Sequence, residues 1–431
     1  MIIYTVQQRD TLYSIARRYG TTVAKIVRDN ELPSTNLTVG ETLVLLQPRS
    51  VYTVASGDNL YSVAQKFGVS VGELWRNNPF LGGKTELPVG EVLTIVPEER
   101  RSDREISVNA YVYPNIDRDT LRKTLPYLTY LTIFSYRIEE DGELVGVEDE
   151  ELIEFARGYG VAPILLVSSL SERGTFSPEL VRDFLSSEDA REMLIEEIAS
   201  TLTRKRYAGV EVDFEYVPTE VVDEYVQFVR DLQARLAPSG YKTFVSLSPK
   251  NSAEQEGLLY EGHDYRRMGE AADKTFLMTY EWGYTYGPPM AVSPVDKVRQ
   301  VLEYGASEIP SEKIVMGVPN YGYNWKLPYV AGESRARSLG NVEAVALAKE
   351  KRARIEYDEV SAAPYFRYFE RENATPVEHV VWFENANSVA SLIALVEDLG
   401  LNGIGIWTAM KYFPQLWLVL NATYLIRKIL T

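Results

Sequence analysis

The sequence contains no cysteine, which excludes disulfides, zinc–thiolate sites and thiol nucleophiles. Histidine occurs only twice, at His263 and His379, which leaves little for a histidine-based metal site or a Ser-His-Asp triad. Basic residues are in deficit: 45 Lys and Arg face 61 Asp and Glu, for a net charge of -16. No basic patch stands out, so nucleic acid is not an expected partner. Long apolar runs are also missing. The apolar stretch from Leu416 to Leu430 is short and interrupted by Arg427 and Lys428, so no membrane partner is expected. Met1-Ile2-Ile3-Tyr4 runs straight into a folded-looking repeat with no basic n-region or apolar h-region, and a secretory signal peptide is therefore not expected.

What the chain does have is length and aromatics. At 431 residues it exceeds one typical domain. An acidic protein with 29 Tyr and 6 Trp suits a neutral polymer bound by stacking and hydrogen bonds, although most of these rings fill the core.

An internal repeat opens the sequence. Tyr4-Thr5-Val6 recurs as Tyr52-Thr53-Val54, and the run from Asp10 to Ala16 recurs from Asp58 to Ala64. Gly20 matches Gly68 and Asn30 matches Asn78, all at one offset, while Val39-Gly40-Glu41 matches Val89-Gly90-Glu91 two residues later. Each copy reads strand, helix, helix, strand. Asp10 and Asp58 are expected as helix N-caps, with Gly20 and Gly68 ending the helix in the left-handed manner. The pattern resembles the LysM module, which binds the N-acetylglucosamine face of peptidoglycan or chitin. The resemblance implies module 1 over residues 1–48 and module 2 over 51–97. It also makes Gly57, Asp58, Asn59, Asn78, Pro79, Phe80 and Leu81 candidate glycan contacts.

Residues 98–106, rich in charge and without periodicity, read as a linker. After it, short apolar strands alternate with amphipathic helices. The strands are expected at Val108–Tyr113, Leu131–Tyr136, Pro163–Ser168, Gly209–Glu215, Thr243–Ser248, Thr275–Tyr280, Ile314–Pro319 and Gly403–Trp407, with a helix over Pro178–Thr203 among the connections. Eight such units over 107–431 point to an α/β fold, a (β/α)8 TIM barrel. The connection between the last two strands is too long for one helix, and residues 329–383 resemble a small α+β insertion.

Within the fourth strand, Val210, Val212 and Phe214 alternate with Glu211, Asp213 and Glu215. A strand has a side-chain period of two, so the acids share one face. Crowded carboxylates are costly on a strand unless that face meets water or performs chemistry, and crowding raises at least one pKa. The segment resembles the D-G-x-D-x-D-x-E signature of family 18 glycoside hydrolases. Ala208 and Glu211 depart from it, and the final D-x-E pair is intact. Met278-Thr279-Tyr280-Glu281-Trp282 is similar to the family's M-x-Y-D motif with Glu for Asp. Ser168-Ser169-Leu170 departs from the S-x-G-G usual on strand three.

The resemblance implies a substrate-assisted retaining glycosidase. Glu215 would protonate the leaving oxygen, Asp213 would orient the substrate's 2-acetamido group as it attacks, and Tyr280 would hydrogen-bond that group. Glu211, Met278, Glu281, Trp282, Asn320, Tyr321 and Trp407 would complete substrate binding, with no cofactor and no metal. Two LysM modules joined to such a barrel resemble the spore cortex-lytic N-acetylglucosaminidases of endospore-forming bacteria. That resemblance implies a monomer made in the mother-cell cytoplasm without a signal peptide, acting at the spore coat or cortex on β-1,4 N-acetylglucosaminyl linkages of peptidoglycan. A chitinase with the same machinery and a non-catalytic glycan-binding lectin remain open as alternatives, though the retained Asp213 and Glu215 speak against the lectin.

Overall fold

The computed structural model describes residues 1–97, 102–171, 174–372 and 375–430. The two repeats fold alike. Strand Ile2–Thr5 pairs antiparallel with Thr42–Leu45 across helices Leu12–Arg18 and Val23–Asp29. Strand Ser50–Thr53 pairs with Val92–Val96 across helices Leu60–Phe67 and Val71–Asn77. The helix N-caps fall one residue later than expected, on Thr11 and Asn59, whose side chains accept from the Ser14 and Ser62 amides. Asp10 and Asp58 instead close the preceding loop: Asp58 accepts from Tyr52 Oη at 2.7 Å and the Ala55 amide at 2.7 Å. A carboxylate two residues before the helix serves the loop donors because the side chain after it already serves the helix.

One residue holds each module together. The Asn30 amide donates to Ile26 O (3.0 Å) and Val44 O (2.9 Å) and accepts from Val44 N (2.8 Å). Asn78 repeats the set on Leu74 O, Thr94 O and Thr94 N. Each asparagine thus ties the second helix to the closing strand with three bonds, buried in module 1 and buried or partly buried in module 2.

The eight parallel strands that follow are β1 (Glu105–Val112), β2 (Tyr130–Ile138), β3 (Ala162–Ser168), β4 (Gly209–Asp213), β5 (Lys242–Leu247), β6 (Lys274–Leu277), β7 (Ile314–Pro319) and β8 (Gly403–Trp407). Each pairs with the next, and β8 pairs with β1, so the sheet closes. Of the expected linker, residues 98–101 lie outside the described residues, and 105–106 already belong to β1. The single helix expected over Pro178–Thr203 is two, Pro178–Ser186 and Glu188–Lys205. Ser187 breaks it, with extended backbone and a side chain that accepts from Ala190 N as the second helix's cap.

Between β7 and β8 stands an antiparallel five-stranded sheet with helix Asn341–Glu350. Its first strand, Gly322–Lys326, begins upstream of residue 329 and pairs with Thr375–Trp382. The modules pack on the flank of the barrel. Val44 enters the barrel's outer core, Gln415 Nε2 donates to Thr42 O, and the Trp75 and Tyr159 rings lie 4.8 Å apart.

Removing one asparagine lock should leave a buried strand amide and carbonyl unsatisfied. Asn78→Ala is expected to destabilise the second module by about 2–4 kcal/mol, read as earlier exchange of its strand amides in hydrogen-exchange measurements. A loss below about 0.5 kcal/mol would show that the bonds are incidental.

Candidate active site

β4 delivers the acids. Val210, Val212 and Phe214 turn outward into the helix layer, where Phe214 stacks with Phe228 and Tyr225. Glu211 and Asp213 turn inward and are buried. The strand ends at Asp213, two residues short of the expectation, because Ser168↔Asp213 is its last pairing. The chain then turns through Tyr216 at φ 55. Glu215 therefore stands on the turn at the mouth of the barrel, not on the ladder. β6 likewise ends at Leu277, short of Tyr280. Two successive short bonds, Thr279 N to Leu277 O and Tyr280 N to Met278 O, turn the backbone there. Tyr280 then lies nearly parallel to Trp407, with ring centroids 6.4 Å apart.

Glu211 sits deepest. Its carboxylate accepts from Tyr111 Oη (2.5 Å), Ser246 Oγ (2.9 Å) and Thr132 Oγ1 (3.2 Å). Burial pushes it up to about 7 against the pull of those hydroxyls. Being fully covered, it is out of a substrate's reach and touches only its neighbours. Asp213 is raised by burial and then by the charges of Glu215 and Glu211. Its Oδ1 is buried and accepts no hydrogen bond from the protein. Burial and the charge of Glu281 push Glu215 up to about 7. Glu281, itself at φ 66, accepts from Tyr321 and Tyr323 hydroxyls, which oppose the upward push of its own burial.

An aromatic box surrounds Trp407: Phe134 at 5.2 Å, Tyr111 at 5.6 Å and Tyr113 at 6.4 Å meet it edge-on. Met278 and Tyr321 pack against the same cluster. The structure thus gathers Glu211, Asp213, Glu215, Tyr280, Glu281, Tyr321 and Trp407 at the C-terminal end of the barrel, where barrel enzymes carry their sites. Two others have different surroundings. Trp282 packs against the outer core. Asn320 lines the cleft of about 230 Å³ beside Trp407, but its amide is committed to Thr408 O and Lys411 O.

Among the residues expected to touch glycan in module 2, Asn78, Pro79 and Leu81 are buried. Phe80 lies 4.1 Å beneath the Arg28 guanidinium of module 1, and Asn59 is occupied as a cap. Of this group, Gly57 is left on an exposed turn. The asparagine is needed inside because its amide supplies two donors, for Leu74 O and Thr94 O, and an acceptor for Thr94 N at once.

Sequence reasoning missed several residues that shape the site. Tyr111 and Asn109 alternate with Val108, Ala110 and Val112 on β1, a period-two signal for an inward polar face. His263 left no such trace. Its Nδ1 accepts from Ser248 N (2.8 Å), so Nε2 carries the proton and donates to Phe214 O (3.0 Å). Burial lowers it to about 4, and it stays neutral. It pins the backbone beside Glu215.

The family model for glycosyl hydrolases family 18 matches residues 175–411, and that for the LysM domain matches 4–45 and 52–96. The chain is 41% identical to the cortical fragment-lytic enzyme of Bacillus subtilis (strain 168), over 98% of this chain and 97% of that one. The crystal structure of the spore cortex-lytic enzyme SleL of Bacillus megaterium QM B1551 superimposes with a TM-score of 0.83 at 34% identity, covering 99% of both chains. A chitinase from Chromobacterium violaceum superimposes on the barrel with a TM-score of 0.68 at 25% identity, over 74% of this chain and 98% of that one. With likeness running the full length of the chain and through the strand that bears the acids, this protein belongs to the glycosyl hydrolases of family 18 and carries two LysM domains ahead of its barrel.

Proposed function

We propose that the protein hydrolyses β-1,4 N-acetylglucosaminyl linkages of spore cortex peptidoglycan, or of fragments released from it, by substrate-assisted catalysis with retention. The observation that carries the mechanism is the buried, unpartnered Oδ1 of Asp213, close enough to Glu215 and Tyr280 to feel and exert charge on them, with Tyr280 stacked beside Trp407. An orphaned carboxylate oxygen in such a place calls for a donor from a ligand, and an acetamido N–H is that donor. The likeness to cortical fragment-lytic enzymes along the whole chain supports the substrate class.

In this reading, the sugar ring lies on Trp407 and its acetamido N–H bonds Asp213. Glu215 gives its proton to the glycosidic oxygen as the C–O bond breaks, and the acetamido oxygen closes onto the anomeric carbon from the opposite face. The positive charge of the resulting oxazolinium sits beside Asp213, with the Tyr280 hydroxyl holding the acetamido oxygen. Water then adds at the anomeric carbon, giving its proton to Glu215, and the ring opens with net retention. Glu211 acts as a positioning residue beneath Asp213, where three hydroxyls hold it. We divide the chain at about residues 48, 97 and 106, with the modules retaining the enzyme on the polymer. The chain acts as a monomer, made in the mother cell and assembled at the spore. Among the described residues no helix is long and apolar enough to cross a membrane.

Glu215→Gln should cut turnover on natural glycan by about 10²–10⁴-fold while glycan binding persists, measured by product release and pull-down on insoluble peptidoglycan. Near-native turnover would remove Glu215 from the acid's role. An inhibitor in which a stable thiazoline replaces the oxazolinium should bind more tightly than substrate, and Asp213→Asn should weaken both turnover and that inhibitor. Proton NMR of the first product should show the retained anomer, and inversion would rule the scheme out. Chitin cleaved faster than cortex peptidoglycan would assign the enzyme to the chitinases.

The acid must be protonated to act. Its pKa is raised, so the competent form persists up to about pH 7 and is lost above it. kcat/KM should therefore fall as pH rises through about 7, and Glu281→Gln, which removes the neighbouring charge, should move that limb to lower pH. A profile unmoved by Glu281→Gln would show that the two carboxylates are not coupled.

A further inference from the structure

Away from the catalytic cleft, a cavity of about 270 Å³ lies where three parts of the fold meet. Module 1 contributes residues 30–34 and 41–42, the insertion contributes its helix Asn341–Glu350, and the barrel contributes 383–385 and 413–415. Its polar lining is one-sided. Glu384 is 1% exposed, and neither of its side-chain oxygens has a partner in hydrogen-bond geometry, the nearby Ser388 hydroxyl opposing the upward push of burial only weakly. The Ser388 hydroxyl beside it gives its proton to Asn385 O at 3.0 Å. Glu41 is 4% exposed with Oε1 unpartnered, and Glu31 Oε1 is also buried and unpartnered, its other oxygen being held by Lys123.

The amides around these acids are already committed. Asn30 locks the strand, Asn341 accepts from Glu384 N, Asn385 caps the next helix, and Gln415 donates to Thr42 O. Lys349 is the cation in the lining, and it donates to Ser34 Oγ. The unpartnered buried polar atoms of this cavity are therefore all carboxylate oxygens. Between them the walls are apolar: Leu32, Pro33, Val345, Phe383 and Phe413.

A site whose unpartnered buried polar atoms are all acceptors, set among hydrocarbon, is complementary to a ligand that carries donors on a short apolar stem. We propose that this cavity binds a small primary alkylammonium ligand, the chemistry of a diamine or of a diamino-acid side chain, with the ammonium on Glu384 and the methylenes against Phe383 and Phe413. A single ammonium supplies three donors and charge-assists each bond. The acids stand on separate walls and do not converge as metal ligands: among the described residues no group of three or more His, Asp and Glu side chains is placed to hold a metal ion.

The titration runs in the same direction. Burial pushes Glu41 up to about 7 and Glu384 up to about 8, so both are largely neutral in mildly acid solution. The titratable groups facing them are Lys349 from the insertion helix, Tyr357 from an insertion strand and Glu31 with Lys123 beside module 1. Residues 413–415 bring no ionisable group. Affinity for an ammonium should therefore rise between pH 6 and 8.5, where the acids ionise and the amine remains charged.

The test uses the full chain and calorimetric titration with pentane-1,5-diamine and pentylamine, alongside pentan-1-ol, N-acetylglucosamine and calcium chloride. We expect saturable binding of both amines, at least tenfold tighter at pH 8.5 than at pH 6. Glu384→Gln should weaken binding at least tenfold. Ala346→Trp, at an exposed helix position on the cavity's rim, should abolish it in a protein whose thermal unfolding is unchanged. Hydrolysis of glycan fragments should stay at wild-type rate in both variants, so this outcome is separate from the assignment of the catalytic site. Absence of saturable amine binding to the folded protein would overturn the proposal. So would undiminished binding in both variants, or equal binding of pentan-1-ol, N-acetylglucosamine or calcium.

Discussion

Four carboxylates, Glu211, Asp213, Glu215 and Glu281, share one end of the barrel, and among the described residues none of them is ion-paired. Buried like charges without counter-ions are tolerated only when some are protonated or wrapped in hydroxyl donors. The rest of the site answers that constraint. Tyr111, Ser246 and Thr132 surround Glu211, and Tyr321 and Tyr323 surround Glu281. All four acids keep a raised proton affinity, and Asp213 and Glu215 are pushed further by neighbouring carboxylate charge, Asp213 by Glu215 and Glu211 and Glu215 by Glu281. A group with that affinity holds a proton near neutral pH and can also release it, which is what an acid that later acts as a base requires.

Position matters as much as charge. Glu215 lies beyond the last ladder pair of β4, so no strand bond fixes it. The neutral His263 ring fixes the carbonyl of Phe214 instead, and outward packing of Phe214 on Phe228 and Tyr225 fixes the side chain before it. On the other side of the cleft, Asn320 ties the end of β7 to the segment after Trp407 through Thr408 and Lys411. These residues touch nothing that reacts, yet they set the distances between those that do.

The repeated modules show how similar sequences acquire different surroundings. In module 1, Val44 on the outer face of the sheet is buried in the barrel's helix layer. At the matching face of module 2, Val51, Val92 and Val96 are exposed, and contact with the barrel runs through Trp75, Arg76 and Asn77 instead. Each module keeps its own small core and its asparagine lock. What differs is the surface that each presents to the barrel, and the cavity bordered by Glu384 exists because module 1 closes one side of it.

Much of this was legible in the chain alone. Period-two alternation from Val210 to Asp213 placed Glu211 and Asp213 on one inward face, the repeat offset marked two modules of one fold, and strand–helix alternation implied the closed barrel. These are local properties: side-chain direction follows from backbone geometry wherever the pattern occurs. Residues tied to distant partners were not legible. Whether Asn78 faces a glycan or a strand backbone, whether Trp282 turns into the cleft or away from it, and whether Asp58 or Asn59 caps the helix depend on competing contacts. Only the folded chain brings those contacts together. His263 and Glu384 are the extreme cases. Each is a single polar residue without periodicity, and each acquires its meaning from burial, which is a property of the tertiary structure and of nothing smaller.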